Sequence, residues 1–386
     1  MGTARTSLEI SRDVHCLWRE PGVSHRYATG VSLHSHTLHS REYLDFVNRF
    51  LRRVPLLRPA LDRIENRHLQ LAGAPPIRFD RLFWRPPLHP RAAHELEAVQ
   101  IRNLGLRPLV SLTDHDTIEA CAELNAIGTA VPYSIEWTIP YQETVFHIGV
   151  HNLPADQARD LEAAMAAVTA SPSHERIAQL MADLHSREEI LVVLNHPFFC
   201  EHLTEHARHT QLLLQFLGEF GAWIHALELN GLQPAARNLD TIRLAVERGL
   251  PVISGGDRHG CEPNANLNLT NASSFLEFVQ EIRVEQRSSV LFLPQYRDPA
   301  LARVIEFIWH VVRNYDELEG RRRWMDRVYL QLDSGETVAC ASLWSSAGPP
   351  VIRSAISLIG ILASPWMRAV LCTAMGRTES LEADAL

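Results

Sequence analysis

From residue 31 to about 293, short apolar runs alternate with stretches whose apolar positions recur at helical spacing. The runs read as strands ending near His34, Thr113, Ile135, Val150, Leu194, Leu229 and Ser254. The periodic stretches read as helices at about 91–104, 117–127, 155–168, 174–187, 203–220 and 235–249. This alternation predicts a parallel, barrel-like α/β fold, in which reactive groups gather at the C-terminal ends of the strands.

Two stretches break the rhythm. Residues 43–88 read as an insertion, because the helix at Arg91–Asn103 and its following strand account for only the last part of the span between His36 and His115. From Arg41 to Pro90 there are ten arginines against five acids, with Tyr43, Phe46, Phe50, Phe79, Phe83 and Trp84 among them. Such a mixture suits a lid or side wall over an anionic substrate, and equally a helical hairpin with packed aromatics and solvated arginines. From residue 295 onward, ARVIEFIWHVV, RRRWMDRVYLQL and an apolar stretch over 351–375 predict a mainly helical C-terminal extension. Its pattern suits packing or homo-oligomer formation. The organisation is thus an N-terminal segment 1–30, a main domain 31–294 and an extension 295–386.

Composition narrows the chemistry. Hydrophobic residues make up 46% of the 386, enough for a substantial core, and a formal net charge of -8 offers no global attraction to polyanions. All 37 basic residues are arginine, which excludes lysine Schiff-base chemistry and a P-loop lysine. Phosphate recognition then falls to arginine, whose paired donors match phosphate oxygens. The six cysteines show no CxxC pair, and with no apolar leader core the expected location is cytoplasmic. No membrane partner is expected, because the nearest apolar run, Ala355–Met367, stops at Arg368.

The candidate chemistry lies at the ends of the apolar runs. VSLHSH closes on His34 and His36, which strand alternation would turn to one side. LTDHD carries His115, and Glu136 closes VPYSIE. His147 sits in TVFHIGV, His196 closes ILVVLNHP, and Asp257 with His259 closes LPVISGGDRH. Imidazoles and carboxylates without thiols suit zinc, manganese or iron.

In that order, HSH, TDHD, an isolated Glu, a His before an apolar strand, NHP and GGDRH resemble the PHP (polymerase and histidinol phosphatase) superfamily over roughly His34 to Pro294. The resemblance implies a distorted (β/α)7 TIM-like barrel holding two or three divalent ions, Mn, Zn or Fe. It implies hydrolysis of a phosphoester by metal-bound hydroxide at a centre including Asp257, His259 and His196. By analogy, His34, His36, Glu136 and Asp257 would hold one ion, and Glu136 would bridge to a second held by His147 and His196. His115 and His259 would anchor a third. Family members commonly add an Asp or His a few positions after HxH, where TLHSRE here places Arg41. His39 or Glu42 would then substitute, Glu42 being favoured on spacing, or the third ion is weak or absent. Arg258 and Arg176 are the candidate contacts to substrate phosphate, and Asp114 and Asp116 are expected to orient His115 and cap a helix beginning at Thr117. The expected partner is a small phosphorylated substrate. The alternatives are a phosphodiesterase or exonuclease acting on short single-stranded nucleic acid, and a catalytically silent metal-binding module.

Overall fold

The computed structural model describes residues 11–44, 81–200, 206–332, 334–344, 348, 350–379 and 381. Within them the chain is a mixed α/β fold of three sheets. The first contains β1 (Ser11–Cys16), β2 (Thr29–Ser32), β5 (Arg107–Val110), β11 (Asn266–Thr270) and β12 (Arg287–Phe292), in the order β1-β12-β11-β2-β5. The second contains β6 (Tyr133–Tyr141), β7 (Thr144–Leu153), β8 (Leu191–Leu194), β9 (Ala226–Asn230) and β10 (Val252–Gly255), in the order β10-β9-β8-β7-β6. The third contains β3 (Glu42–Tyr43), β4 (Leu82–Trp84), β13 (Val328–Gln331) and β14 (Thr337–Ala339), in the order β14-β13-β4-β3.

The helices Pro90–Asn103, Glu119–Ala126, Ala158–Ala170, His174–Ser186, His206–Phe220 and Ala235–Arg248 lie close to the six expected spans. The expectation of a parallel sheet needs correction. β6–β7 and β7–β8 pair antiparallel, because only Gln142 and Glu143 join β6 to β7, and two residues allow a hairpin but no crossover. β11 also runs antiparallel to both its neighbours. Nor do the described strands form one continuous closed ladder. The first two sheets meet at isolated bridges, Ser35 with Arg258 and His115 with Glu136. Backbone hydrogen bonds reinforce both seams, from Asp257 N to His34 O at 2.7 Å and from Asp116 N to Glu136 O at 2.9 Å.

The core is built as the period-2 pattern requires. In β6, Ile135, Trp137 and Ile139 are fully buried and pack with Phe146, Phe216 and Phe220 beneath the helices, while Glu136 between them faces the opposite side. The apolar face of this sheet thus holds the carboxylate rigidly toward the other.

The insertion and the C-terminal extension, read as separate additions, share the third sheet. β4 pairs with β13, and Leu82 and Trp84 bury themselves with Val311, Met325, Val328, Leu330 and Cys340. Residues 45–80, where most of the expected lid falls, lie outside the described residues. The extension is less purely helical than expected, since β13 and β14 satisfy an edge that β4 alone would leave open. The apolar stretch over 351–375 divides at Ser364, whose side chain accepts from Met367 N, followed by Pro365 at the first helical position. The resulting helices, Pro350–Leu362 and Pro365–Met375, are bent by 63° and expose Leu358, Ile361, Trp366, Val370 and Met375. No single helix among the described residues is long and apolar enough to cross a membrane. All six cysteines are free thiols.

Candidate metal centre

Strand alternation is not what aligns His34 with His36. β2 ends at Ser32, and His34 adopts left-handed backbone with φ 62°, as do Asp257 at 55° and His196 at 28°. A non-glycine residue there costs on the order of 1 kcal/mol or more, and such strain persists only where surrounding structure over-determines it. The turns aim three side chains off the strand ends into one spot. His34 and His36 meet edge to face with ring centroids 5.1 Å apart, and His36 stacks on His259 at 4.1 Å.

Glu136 is the middle of the arrangement and is fully buried. Its Oε2 lies 3.0 Å from His34 Nε2, 3.3 Å from His36 Nε2 and 3.3 Å from His115 Nε2. Its Oε1 faces the other way, 3.2 Å from His196 Nε2 and 3.5 Å from His147 Nδ1. Asp257 Oδ1 stands 3.6 Å from both His34 Nε2 and His36 Nε2. At the remaining edge, Glu42 Oε2 is 3.3 Å from His115 Nε2 and 3.2 Å from His259 Nε2. All nine expected ligand residues therefore converge. His39, the alternative to Glu42, instead bonds Glu123 at 3.0 Å.

The donors fit divalent cations. His34 Nε2, His36 Nε2 and Glu136 Oε2 are buried without a hydrogen-bond partner, although they point at one another. Such orphaned atoms are costly unless something accepts their lone pairs. Four overlapping groups have donor atoms close enough to share an ion: His34, His36 and Glu136; His34, His196 and Asp257; His115, Glu136 and His147; and His36, Glu42, His115 and His259. Burial alone would push the carboxyls of Glu136 and Glu42 up, but the surrounding histidines hold both well below the usual carboxylate range. Asp257 is likewise pulled down against its burial, first by His34. Burial, aided by His115 and His196, drives His147 well below the ordinary imidazole value, whereas Glu136 and the other carboxylates raise His34 and His115 well above it against their burial. Three ionised carboxylates in a buried space concentrate negative charge that cations would offset.

Among the orienting groups, Glu228 and Ser40 were missed in the sequence. Glu228, buried in β9, accepts from His34 Nδ1 at 2.6 Å, which leaves Nε2 with its lone pair aimed inward. A lone carboxylate inside the apolar run ALELN was the available signal. A Cβ at Gly255 would come within 2.0 Å of the Glu228 carboxyl, so the first glycine of GGDRH is required by close approach. His36 Nδ1 donates to Ser40 Oγ at 3.2 Å and His259 Nδ1 to the carbonyl of Asp257 at 2.8 Å. Asn195 donates to Glu136 Oε1 at 3.0 Å, and Asn230 to Glu228 at 2.7 Å and Asp257 at 3.1 Å. Replacing Glu228 by Gln is expected to weaken metal binding by roughly 10–100-fold, as removal of a ligand-orienting partner does, without unfolding the chain. Competition against a chromogenic chelator measures this, and unchanged affinity would leave Glu228 a packing residue only.

Other expectations are corrected. Asp114 accepts from Thr37 N and Oγ1 at 2.5 and 2.7 Å and so ties down the chain after His36. Asp116 accepts from Thr138 N at 2.8 Å, and the following helix begins at Glu119 with no side-chain cap, so neither aspartate caps it. Arg258 is turned inward, with Nε 2.9 Å from Glu97 and Nη1 donating to the Gly260 carbonyl, so its charge is balanced within the protein. Arg176 is exposed on its helix, and its side chain donates to the Ser171 carbonyl with no contact to the cluster. Trp84 and Phe307, from the insertion end and the extension, flank His259 with ring centroids 6.0 and 5.3 Å away.

No family model matches this chain, and no curated protein matches it. Among solved structures, a supposed metal-dependent phosphoesterase from Bifidobacterium adolescentis is similar at 16% identity and a TM-score of 0.31, over 52% of this chain and 92% of that one. An amidohydrolase from Chromobacterium violaceum is similar at 17% identity and a TM-score of 0.30, over 45% of this chain and 83% of that one.

Proposed function

We propose that this chain is a metal-dependent phosphoesterase of the PHP type, hydrolysing small phosphorylated substrates such as phosphomonoesters or nucleotides. The observation that carries the reading is Glu136, whose two oxygens face separate sets of imidazoles in one buried centre. A carboxylate can serve two cations with separate oxygens, whereas a neutral imidazole offers one lone pair. The strand arrangement supports a distorted barrel: β2, β5 and β6 to β10 follow one another around the centre, with the two isolated bridges at the seams.

In this reading His34, His36, Glu136 and Asp257 hold one manganese, zinc or iron ion, Glu136, His147 and His196 a second, and Glu42, His115 and His259 a third. Bound there, such ions acidify water and offset charge on phosphoryl oxygens. The protein's own groups do the rest. Asn195 keeps Glu136 in register, and Glu228 and Ser40 fix the tautomers of His34 and His36. Asp257 and His115, each 15% exposed, and Glu42 at 12% are the most open of the nine, so substrate approaches from their side. Trp84 and Phe307 shield His259 from water there.

The test is phosphate release by manganese-loaded protein from a panel of phosphomonoesters, nucleotides and short oligonucleotides, with Asp257→Asn as the blank. Release that falls more than about 100-fold in the variant supports the phosphoesterase, since a ligand should exceed the roughly 10–100-fold of an orienting group. Preference for oligonucleotides would convert the reading to a phosphodiesterase. No release from any substrate would sink it in favour of a silent metal-binding module.

A further inference from the structure

A second set of donors lies beside the centre but shares none of its residues. Glu306 and His310 are four apart on the helix Ala300–Val312, hence on one face, and Glu262 comes from the loop just after His259. One donor atom from each lies within 4.8 Å of the others, and His310 Nε2 is 3.9 Å from Glu262 Oε1. All three line one pocket with Arg258 and His259.

His310 is the independent pointer to a ligand. It is only 6% exposed, and its Nε2 is buried without a hydrogen-bond partner. Its other nitrogen is committed. The Tyr315 hydroxyl donates to the His310 carbonyl at 3.1 Å and lies 2.9 Å from Nδ1, so Nδ1 carries the imidazole hydrogen and donates to Tyr315. That leaves the Nε2 lone pair facing the carboxylates, the arrangement in which metal-ligating histidines are held. The ring also sits hard against the metal loop, since a Cβ on Gly260 would meet His310 Cγ at 2.7 Å.

One arginine, Arg368, is shared between Glu306 and Asp298. Burial and the neighbouring Glu262 push the Glu306 carboxyl up to about 7. Arg368 is engaged with Asp298 at 2.5 Å and reaches Glu306 only at 3.4 Å. Burial, opposed by Glu262, lowers His310 below its ordinary value.

We propose that Glu262, Glu306 and His310 form a separate divalent-cation site that fastens the helix Ala300–Val312, the first of the C-terminal extension, to the loop carrying Asp257 and His259. Two carboxylate oxygens and one imidazole nitrogen make a three-ligand set suited to zinc or manganese, with a fourth position open to the pocket. The site stands whether or not the main centre hydrolyses phosphoesters.

The experiment is zinc titration of the chelator-stripped full-length protein, with bound zinc counted by elemental analysis after desalting. Glu262→Gln/Glu306→Gln is expected to retain one equivalent fewer than wild type, and the deficit should add to that of Asp257→Asn. Zinc should also raise the Tm of the wild type more than that of the double variant. Glu262 is 53% exposed, so Glu262→Gln alone keeps the fold and should weaken one zinc at least tenfold. Equal zinc content, affinity and thermal shift in wild type and both variants would overturn the site.

Discussion

Glu136→Gln is expected to cost the chain at least two metal ions at once and to lower any metal-dependent turnover more than about 100-fold, beyond the range of an orienting residue. The reason is geometric. Five histidines from four separate segments approach its two oxygens at 3.0–3.5 Å. The amide keeps the volume but presents one oxygen and a hydrogen-bearing nitrogen, which cannot accept from a cation or share charge with it. His259→Ala removes a donor at the Glu42 edge and should cost one ion only. Elemental analysis of both variants after metal loading and desalting, with circular dichroism to establish folding, makes the comparison. A Glu136→Gln protein with wild-type metal content would remove the bridging role altogether.

The largest effect on stability is expected at Arg327. Its side chain is buried, with Nη1 donating to the carbonyls of Arg321 and Arg322 at 2.8 and 3.1 Å, and Nη2 to those of Val311 and Arg313 at 3.2 and 2.5 Å. The guanidinium lies 4.8 Å from the Tyr315 ring centre, and burial brings its pKa down to about 10, so it remains protonated at neutral pH. Arg327→Met would fill the volume but leave the carbonyls of Val311, Arg313 and Arg321 without this donor, Arg322 O keeping Tyr315 N at 2.8 Å, at a cost of roughly 3–5 kcal/mol. For a chain of this size the fall in Tm should be on the order of 10 °C. Lysine should not rescue it, because a single ammonium cannot reproduce the planar fork. Since β13 begins at the next residue and pairs with β4, the loss should also loosen Trp84 against His259. Thermal unfolding of Arg327→Met and Arg327→Lys decides it, and a Tm within 2 °C of wild type, small beside that ~10 °C, would show that the carbonyls find other partners.

Much of the centre was legible along the chain because its members are chemically conspicuous in apolar surroundings. A histidine or carboxylate within or at the end of a β-branched run has few structural uses, and His34, His36, His115, Glu136, His147, His196, Asp257 and His259 all stand in such places. Glu42 was reached only by spacing, and its separation from His39 came with the ion pair that draws His39 to Glu123. Glu228 and Glu97 were overlooked because a carboxylate inside a strand or helix looks like solvent-facing polarity until burial is known. That Arg258 pairs with the buried Glu97 is likewise visible only in the fold.

The sequence by itself determined the placement of six helices, the strands that lead to the candidate ligands and the identities of the nine side chains that meet, since periodicity and residue chemistry are local properties. Only the tertiary structure decided strand direction, the left-handed turns at His34, His196 and Asp257, and the joining of insertion and extension in one sheet. Those features depend on hydrogen bonds and packing between residues far apart in the chain, such as β4 with β13, and no local pattern encodes which distant partner an edge will find.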